Sequence, residues 1–179
     1  WDILAGSVKP ANKVLLYDDA GDHAALQAAE MLAASGAELE IMTPDRSFAP
    51  EIMGMNLVPY LRNLQQQRVT FTVTYRLLAV EKAANGFTAV IGSDYGSWQQ
   101  RKDYDQIIVN HGTLPLDELY FELKPPSKNL GAVDYDQLLA GTAQSTLKNP
   151  EGQFQLYRIG DAVAARNTHA AIYDALRLM

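Results

Sequence analysis

Cysteine is absent from the 179 residues. Disulfides are therefore excluded, and within this chain neither an iron–sulfur cluster nor a thiolate-held zinc has ligands. Histidine is almost as scarce: His23, His111 and His169 are scattered, with no H-x-x-x-H spacing to suggest a metal site. No apolar run approaches the ~20 residues that span a bilayer, and no signal peptide is visible. Basic excess is missing too. Fifteen Lys and Arg against 21 Asp and Glu leave a net charge of −6, which argues against nucleic acid or an anionic membrane as partner. A cytoplasmic location fits this composition. Repeats and low-complexity tracts are also absent, and the length allows one ordinary domain, or one domain plus a fragment of another. The chain opens at Trp1 without a Met, as an excised piece of a longer protein would.

What is present begins with residues 13–43. Val14, Leu15, Leu16 and Tyr17 form a short apolar run, as in a strand buried on both faces. Leu26, Ala29, Met31, Leu32 and Ala33 then recur at helical spacing. Asp22 is placed to cap that helix, and Gly36 to end it. Leu39, Ile41 and Met42 make a second strand. The stretch reads as one βαβ unit of about 30 residues, the building block of a parallel sheet. In such a unit a dinucleotide binds at a G-x-G-x-x-G turn. Here those slots hold Ala20, Asp22 and Ala25, with Gly21 one residue out of step. A carboxylate in the middle slot repels phosphate and cancels the help of the helix N-terminus. The second strand ends in Thr43, with Asp45 two residues later than a ribose-binding acid should be. The frame is that of a nucleotide-binding fold without most of its chemistry.

The remaining segments follow the same logic. Residues 1–12 read as a linker, with Trp1, Ile3 and Leu4 docked on a surface. Residues 56–67 read as a helix with Leu57, Tyr60, Leu61 and Leu64 on one face and Pro59 in its first turn. Val69, Phe71 and Val73 alternate as a strand. Residues 76–82 and 87–91 flank Asn85-Gly86, a strong hairpin signal. Residues 94–101 read as a polar turn. Ile107, Ile108 and Val109 form another buried strand, ending at Asn110-His111-Gly112. A short helix over 116–123 and an apolar stretch over 135–140 come next. Residues 154–161 read as a last strand, and 167–179 as a helix capped by Asn167 or Thr168, with Ala171, Ile172, Ala175 and Leu176 inward.

Three features taken together resemble a family. They are the degenerate βαβ unit, the pattern Asp105…Gly112…Pro115, and Ile159-Gly160-Asp161 before a helix. Their order resembles flavoproteins of the glutathione-reductase type, in which an NAD(P)-binding domain is inserted into an FAD-type domain. Within that superfamily the stretches WDILAG, KVLLYDD, LEIMTPDR and IGDAVAARNTHAAIYDAL are similar to the C-terminal part of the trimethylamine dehydrogenase and 2,4-dienoyl-CoA reductase family. Demethylases of dimethylglycine and N-methylproline belong to the same group.

The resemblance implies an α/β, Rossmann-like fold with a parallel sheet and an antiparallel excursion, plus a strand and helix returned to the adjoining FAD-type domain. It divides the chain into a linker at 1–12, an NAD(P)-binding-like domain at 13–115 and the return segment at 116–179. It implies a non-catalytic piece of an oxidoreductase whose barrel, FMN and [4Fe-4S] cluster lie upstream in the same protein. The substrate class it implies is a small N-methylated amine, with electrons leaving to an acceptor protein. Gly160 and Asp161 inherit contacts to FAD or an ADP-like remnant, and Gly112 belongs to the strand leaving the inserted domain. The departures at Ala20, Asp22, Ala25 and Thr43 tell against NAD(P)H. The alternative is an NAD(P)H-binding domain of dienoyl-CoA-reductase type. A receiver-like signalling module, suggested by Asp18-Asp19 after a strand, comes further behind, because 107–109 ends in Asn110 and lies too far along the chain. Finally, the apolar side chains of the 154–179 tail need cover, on the chain's own surface or against a second copy.

Overall fold

A computed structural model describes residues 1–178. It divides into two units, Trp1–Gly112 and a second that begins at Thr113.

The first unit is built on a four-stranded parallel sheet. Its strands are β1 (Lys13–Asp18), β2 (Glu38–Met42), β3 (Thr70–Thr72) and β7 (Gln106–Asn110), in the order β3-β2-β1-β7. The expected parallel association of the runs at 14–17, 39–43 and 105–109 is found, with Leu16 aligned to Ile41 on one side and to Ile108 on the other. Alternation along β1 explains why its whole run is apolar. Val14 and Leu16 point to the layer of α1 (His23–Ala34) and α2 (Gly54–Gln66), where they pack with Leu26, Ala29, Leu32, Ile41 and Leu64. Leu15 and Tyr17 point the other way, onto Met42, Ala89, Ile91 and Tyr104.

That second face is covered by an antiparallel sheet of β4 (Arg76–Lys82), β5 (Phe87–Ser93) and β6 (Gly96–Tyr104). The Asn85-Gly86 turn joins β4 to β5, and Gly86 has φ +86, as such a turn requires. Residues 94–101 are not the polar turn expected. The turn is confined to the link between β5 and β6, and β6 is an edge strand whose polar side chains hid it from any pattern of alternation. One ionic group lies between the sheets. Glu40 on β2 is buried and accepts from Thr72 Oγ1 at 2.7 Å, Tyr104 OH at 2.7 Å and Lys102 Nζ.

The helices match expectation with small shifts. Asp22 caps α1 through Ala24 N at 2.9 Å, and Gly36 takes φ +86 after its end. Met31, read as inward, is exposed; Ala25, Leu26, Ala28, Ala29, Leu32 and Ala33 make the buried face. α2 starts two residues earlier than the pattern suggests, so Pro59 falls in its second turn and not its first. Of the three docking residues expected near the start, Ile3 is buried and Leu4 packs beside it, while Trp1 is exposed.

The second unit contains α3 (Glu118–Leu123), α4 (Tyr135–Ala140), a 3-10 turn (Gly160–Ala162) and α5 (Thr168–Leu178). The strand expected at 154–161 does not form. A single bridge joins Phe154 to Ser127, and Asn129 holds Leu156 at both its N–H (2.9 Å) and its carbonyl (2.7 Å). A β-strand needs a ladder, and among the described residues this unit offers the segment no neighbouring strand. Nor are all the α5 residues read as inward buried: Ile172 and Leu176 are exposed. Among the described residues of this unit no apolar one belongs to the buried core, although Leu114, Leu116, Leu119 and Leu139 are all present.

Candidate functional site

In a sheet of order β3-β2-β1-β7 the connections run outward from β1 on both sides. The switch point therefore lies between the C-terminal ends of β1 and β7, where open α/β sheets place their ligands. Three segments meet there: Asp18 to Asp22 from β1, Asn110 to Gly112 from β7, and the loop after β2.

The turn is closed by its own carboxylates. Asp18 is buried and accepts from the N–H groups of Ala20 (3.2 Å) and Gly21 (3.1 Å). Asn110 Nδ2 donates to Asp18 Oδ1 and to Asp22 Oδ1, each at 3.0 Å. Asp22 also accepts from Ala24 N. The backbone donors that would hold a pyrophosphate are thus engaged within the chain, and an incoming phosphate meets two negative groups. Burial raises the Asp18 carboxyl pKa, and the Asp22 charge adds to this; the hydrogen bonds from Gly21, Asn110 and Ala20 oppose both.

The turn also lacks space. Gly21 has φ +68, and a Cβ there would lie 2.5 Å from Pro50 Cδ. Its glycine answers a tight contact with the loop after β2, whose Glu51 N–H donates to Gly21 O at 3.2 Å. A dinucleotide motif needs its glycines for approach to the ligand. This one is spent on approach to another loop.

The three histidines separate as follows. His111 Nδ1 lies 3.0 Å from both carboxylate oxygens of Asp19 and meets Tyr17 edge-on at 5.8 Å. The His23 ring lies against Tyr60, whose OH is 3.4 Å from Nδ1. His169 is exposed in the first turn of α5, which Asn167 caps through Ala170 N at 2.9 Å. Among the described residues, no group of three or more His, Cys, Asp or Glu is placed to hold a metal ion.

Gly112, the first expected site residue, ends the first unit with φ +74. A Cβ on it would sit at an ordinary 3.5 Å from Ala20, so conformation and not space calls for glycine. Gly160 and Asp161 belong to the second unit. Gly160 is buried with φ +57, its N–H donates to Asp174 Oδ2 at 3.2 Å, and Arg166 pairs with the same carboxylate. Asp161 follows with its side chain exposed. In the sequence Asp18 and Asn110 stand out only as parts of other patterns. Their hydrogen bond spans 92 residues, and β1–β7 pairing was the one available signal for it.

Three comparisons bear on identity. No family model matches the chain. It is 68% identical over its full length to a probable N-methylproline demethylase of Rhizobium meliloti, and 38% identical over 99% of its length to the N,N-dimethylglycine/sarcosine dehydrogenase of Chromohalobacter salexigens. It spans only 26% of each of those relatives. Among solved structures, the 6-hydroxypseudooxynicotine amine oxidase of Pseudomonas geniculata matches 98% of the chain with a TM-score of 0.65 and 20% identity, covering 23% of that protein. That likeness concerns the fold alone. No helix among the described residues is long and apolar enough to cross a membrane. With these identities along its whole length, the chain belongs to the trimethylamine dehydrogenase and 2,4-dienoyl-CoA reductase family, of whose members it matches the C-terminal part.

Proposed function

We propose that this chain is the C-terminal, nucleotide-binding-type part of a cytoplasmic flavin oxidoreductase that demethylates or dehydrogenates a small N-methylated amine. The observation that carries the reading is the 68% identity, along the entire chain, to a probable N-methylproline demethylase. The piece itself performs no catalysis. FMN and a [4Fe-4S] cluster belong to the rest of the protein; for the cluster, no cysteine ligand is available here. Electrons leave to an acceptor protein and not to NAD(P).

The closed turn supports that last point. NADH and NADPH do not fit residues 18–22, because the donors are taken and the carboxylates repel. The second unit supports a different role, return to an FAD-type domain. Its extended segment 154–159 lacks a strand ladder, and its apolar side chains lack a core. Both deficits are met when a neighbouring sheet is supplied. In that setting Gly160 and Asp161 face FAD or an ADP remnant. Gly160 is held by Asp174 so that the exposed Asp161 carboxylate can accept from ribose hydroxyls, which is the fit the chain offers. Residues 13–115 and 116–179 then divide between the two domains, with 1–12 leading in and Gly112 near the exit.

The test uses the full-length protein. N-Methylproline or dimethylglycine should reduce its flavin, and NADH or NADPH should not. Reduction by NADH or NADPH, with the amines inert, would favour the dienoyl-CoA-reductase alternative and overturn the proposal. For the chain alone, a dissociation constant for NADH below about 10 μM would contradict the closed turn.

A further inference from the structure

The Asn85-Gly86 turn between β4 and β5 packs on Tyr104 and Asp105, at the opposite end of β7 from the switch point. Of the asparagines in the chain, only Asn85 precedes a glycine. Asparagine is thermally labile, because the next backbone nitrogen can attack its side-chain amide. Glycine offers that nitrogen with no side chain in the way.

The fold leaves this pair open to the reaction. Asn85 is exposed. Among the described residues the Gly86 N–H donates to no acceptor, while Gly86 O accepts from Ala83 N–H at 3.1 Å. Other asparagines differ. Asn12 is followed by Lys13, whose N–H donates to Asp105 Oδ2 at 2.9 Å. Asn110 clamps two aspartates, and Asn129 is fully buried against Leu156. Asn149 precedes Pro150, which has no N–H.

We propose that Asn85 is a site of spontaneous deamidation, and that the hairpin accommodates one of the two products and not the other. The Gly86 nitrogen, its proton taken by hydroxide, bonds to Asn85 Cγ. The Cγ–Nδ2 bond breaks and ammonia leaves. Water then opens the cyclic imide. Cleavage of the new N–Cγ bond gives aspartate on the original backbone. Cleavage at the main-chain carbonyl instead routes the chain through Cγ, as isoaspartate, and adds a methylene to the turn. Overall, amide and water become carboxylate and ammonium, with no change of oxidation state. The turn has no room for that methylene. A Cβ on Gly86 would lie 2.4 Å from Tyr104 O and 3.0 Å from Asp105 Cα. Lys82 pairs with Phe87, and Phe87 with Tyr104, so a longer turn displaces both ladders at once. Tyr104 OH donates to Glu40 at 2.7 Å, which carries the disturbance to the buried group between the sheets. This chemistry is independent of the amine oxidation proposed above.

Peptide mapping of the whole chain, aged at mildly alkaline pH, tests the site. Asn85 should be lost about tenfold or more faster than Asn110 or Asn129, which must open locally before they react. Its rate should rise with hydroxide concentration. The folded chain should react within roughly tenfold of the urea-unfolded one, since the attacking N–H is already free. The isoaspartyl form, separated by chromatography, should melt about 3 °C or more below the wild type, and Asn85→Asp within about 1 °C of it. No loss at Asn85, a rate no faster than that of Asn110, or a folded rate far below the unfolded one would overturn the site. An isoaspartyl form as stable as Asn85→Asp would overturn the account of the turn.

Discussion

Removing the Glu40 carboxylate is the sharpest test of how the two sheets of the first unit are held together. In Glu40→Ala, three donors lose their acceptor: Thr72 Oγ1, Tyr104 OH and Lys102 Nζ. Lys102 is partly exposed and can turn to water. Tyr104 is 2% exposed and cannot, so its hydroxyl is left unsatisfied at a cost of about 1–3 kcal/mol. Loss of the charged hydrogen bond and of side-chain packing brings the expected change to roughly 2–4 kcal/mol. Adding Tyr104→Phe removes the orphaned hydroxyl, so the double variant should be about 1 kcal/mol or more better than the sum of the singles. Burial pushes the Glu40 carboxyl up, but hydrogen bonds from Lys102, Tyr104 and Thr72 outweigh it and hold it below its ordinary value. A carboxyl depressed on folding stabilises above its unfolded pKa, and that stability is lost as pH falls through the folded value. The wild type should therefore lose more stability than Glu40→Ala on acidification below about pH 4. Urea unfolding followed by near-ultraviolet circular dichroism measures all of this. Additive singles, or a wild type and variant with parallel pH profiles, would refute the network.

Asn110→Ala should destabilise by about 1–3 kcal/mol, and less at pH 4 than at pH 7. Asp18 has a raised pKa, so its charged form is the costly one, and stability falls as pH rises from the unfolded to the folded pKa; removing a donor widens that window. Gly21→Ala combines a positive φ with a 2.5 Å contact to Pro50 and should cost about 1–3 kcal/mol by the same unfolding assay. Ala20→Gly with Asp22→Gly should strengthen NADH binding over wild type in a fluorescence titration; no gain would mean that something other than the turn excludes the cofactor. Truncation after Asn149 should lower the binding of a hydrophobic dye, because Ile172, Tyr173 and Leu176 go with it. If light scattering shows the full chain to be a dimer, truncation should make it monomeric.

The parts that could be read in advance were those with a local physical cause. The β1–α1–β2 unit declared itself through a doubly buried run, a capping aspartate and a glycine stop. The β4–β5 hairpin declared itself through Asn85-Gly86. What escaped was set by neighbours distant in sequence. β6 is a polar edge strand, stabilised by its ladder to β5 and by pairs such as Thr88–Asp103 at 2.6 Å. Residues 154–161 have the composition of a strand, but strand formation needs a partner that this unit does not contain. At the switch point the missing glycines were plain to see. The clamp of Asn110 on two aspartates could not be, since it exists only once β7 lies beside β1.

That pairing also constrains the order of events during synthesis. β1 gains β2 as soon as residue 42 is available, but its other edge stays open until residue 110 has been made. At 5–20 residues per second, this leaves Val14, Leu15, Leu16 and Tyr17 with an unpaired edge for about 5–20 s. An apolar β-rich run with a free edge is a hazard for intermolecular pairing. The three-stranded antiparallel sheet, complete by residue 104, shelters one face of β1 in the interval but leaves that edge bare. A ribosome stalled just before residue 106 would hold the nascent chain at its most vulnerable, and chaperone capture should peak there and fall once β7 has emerged.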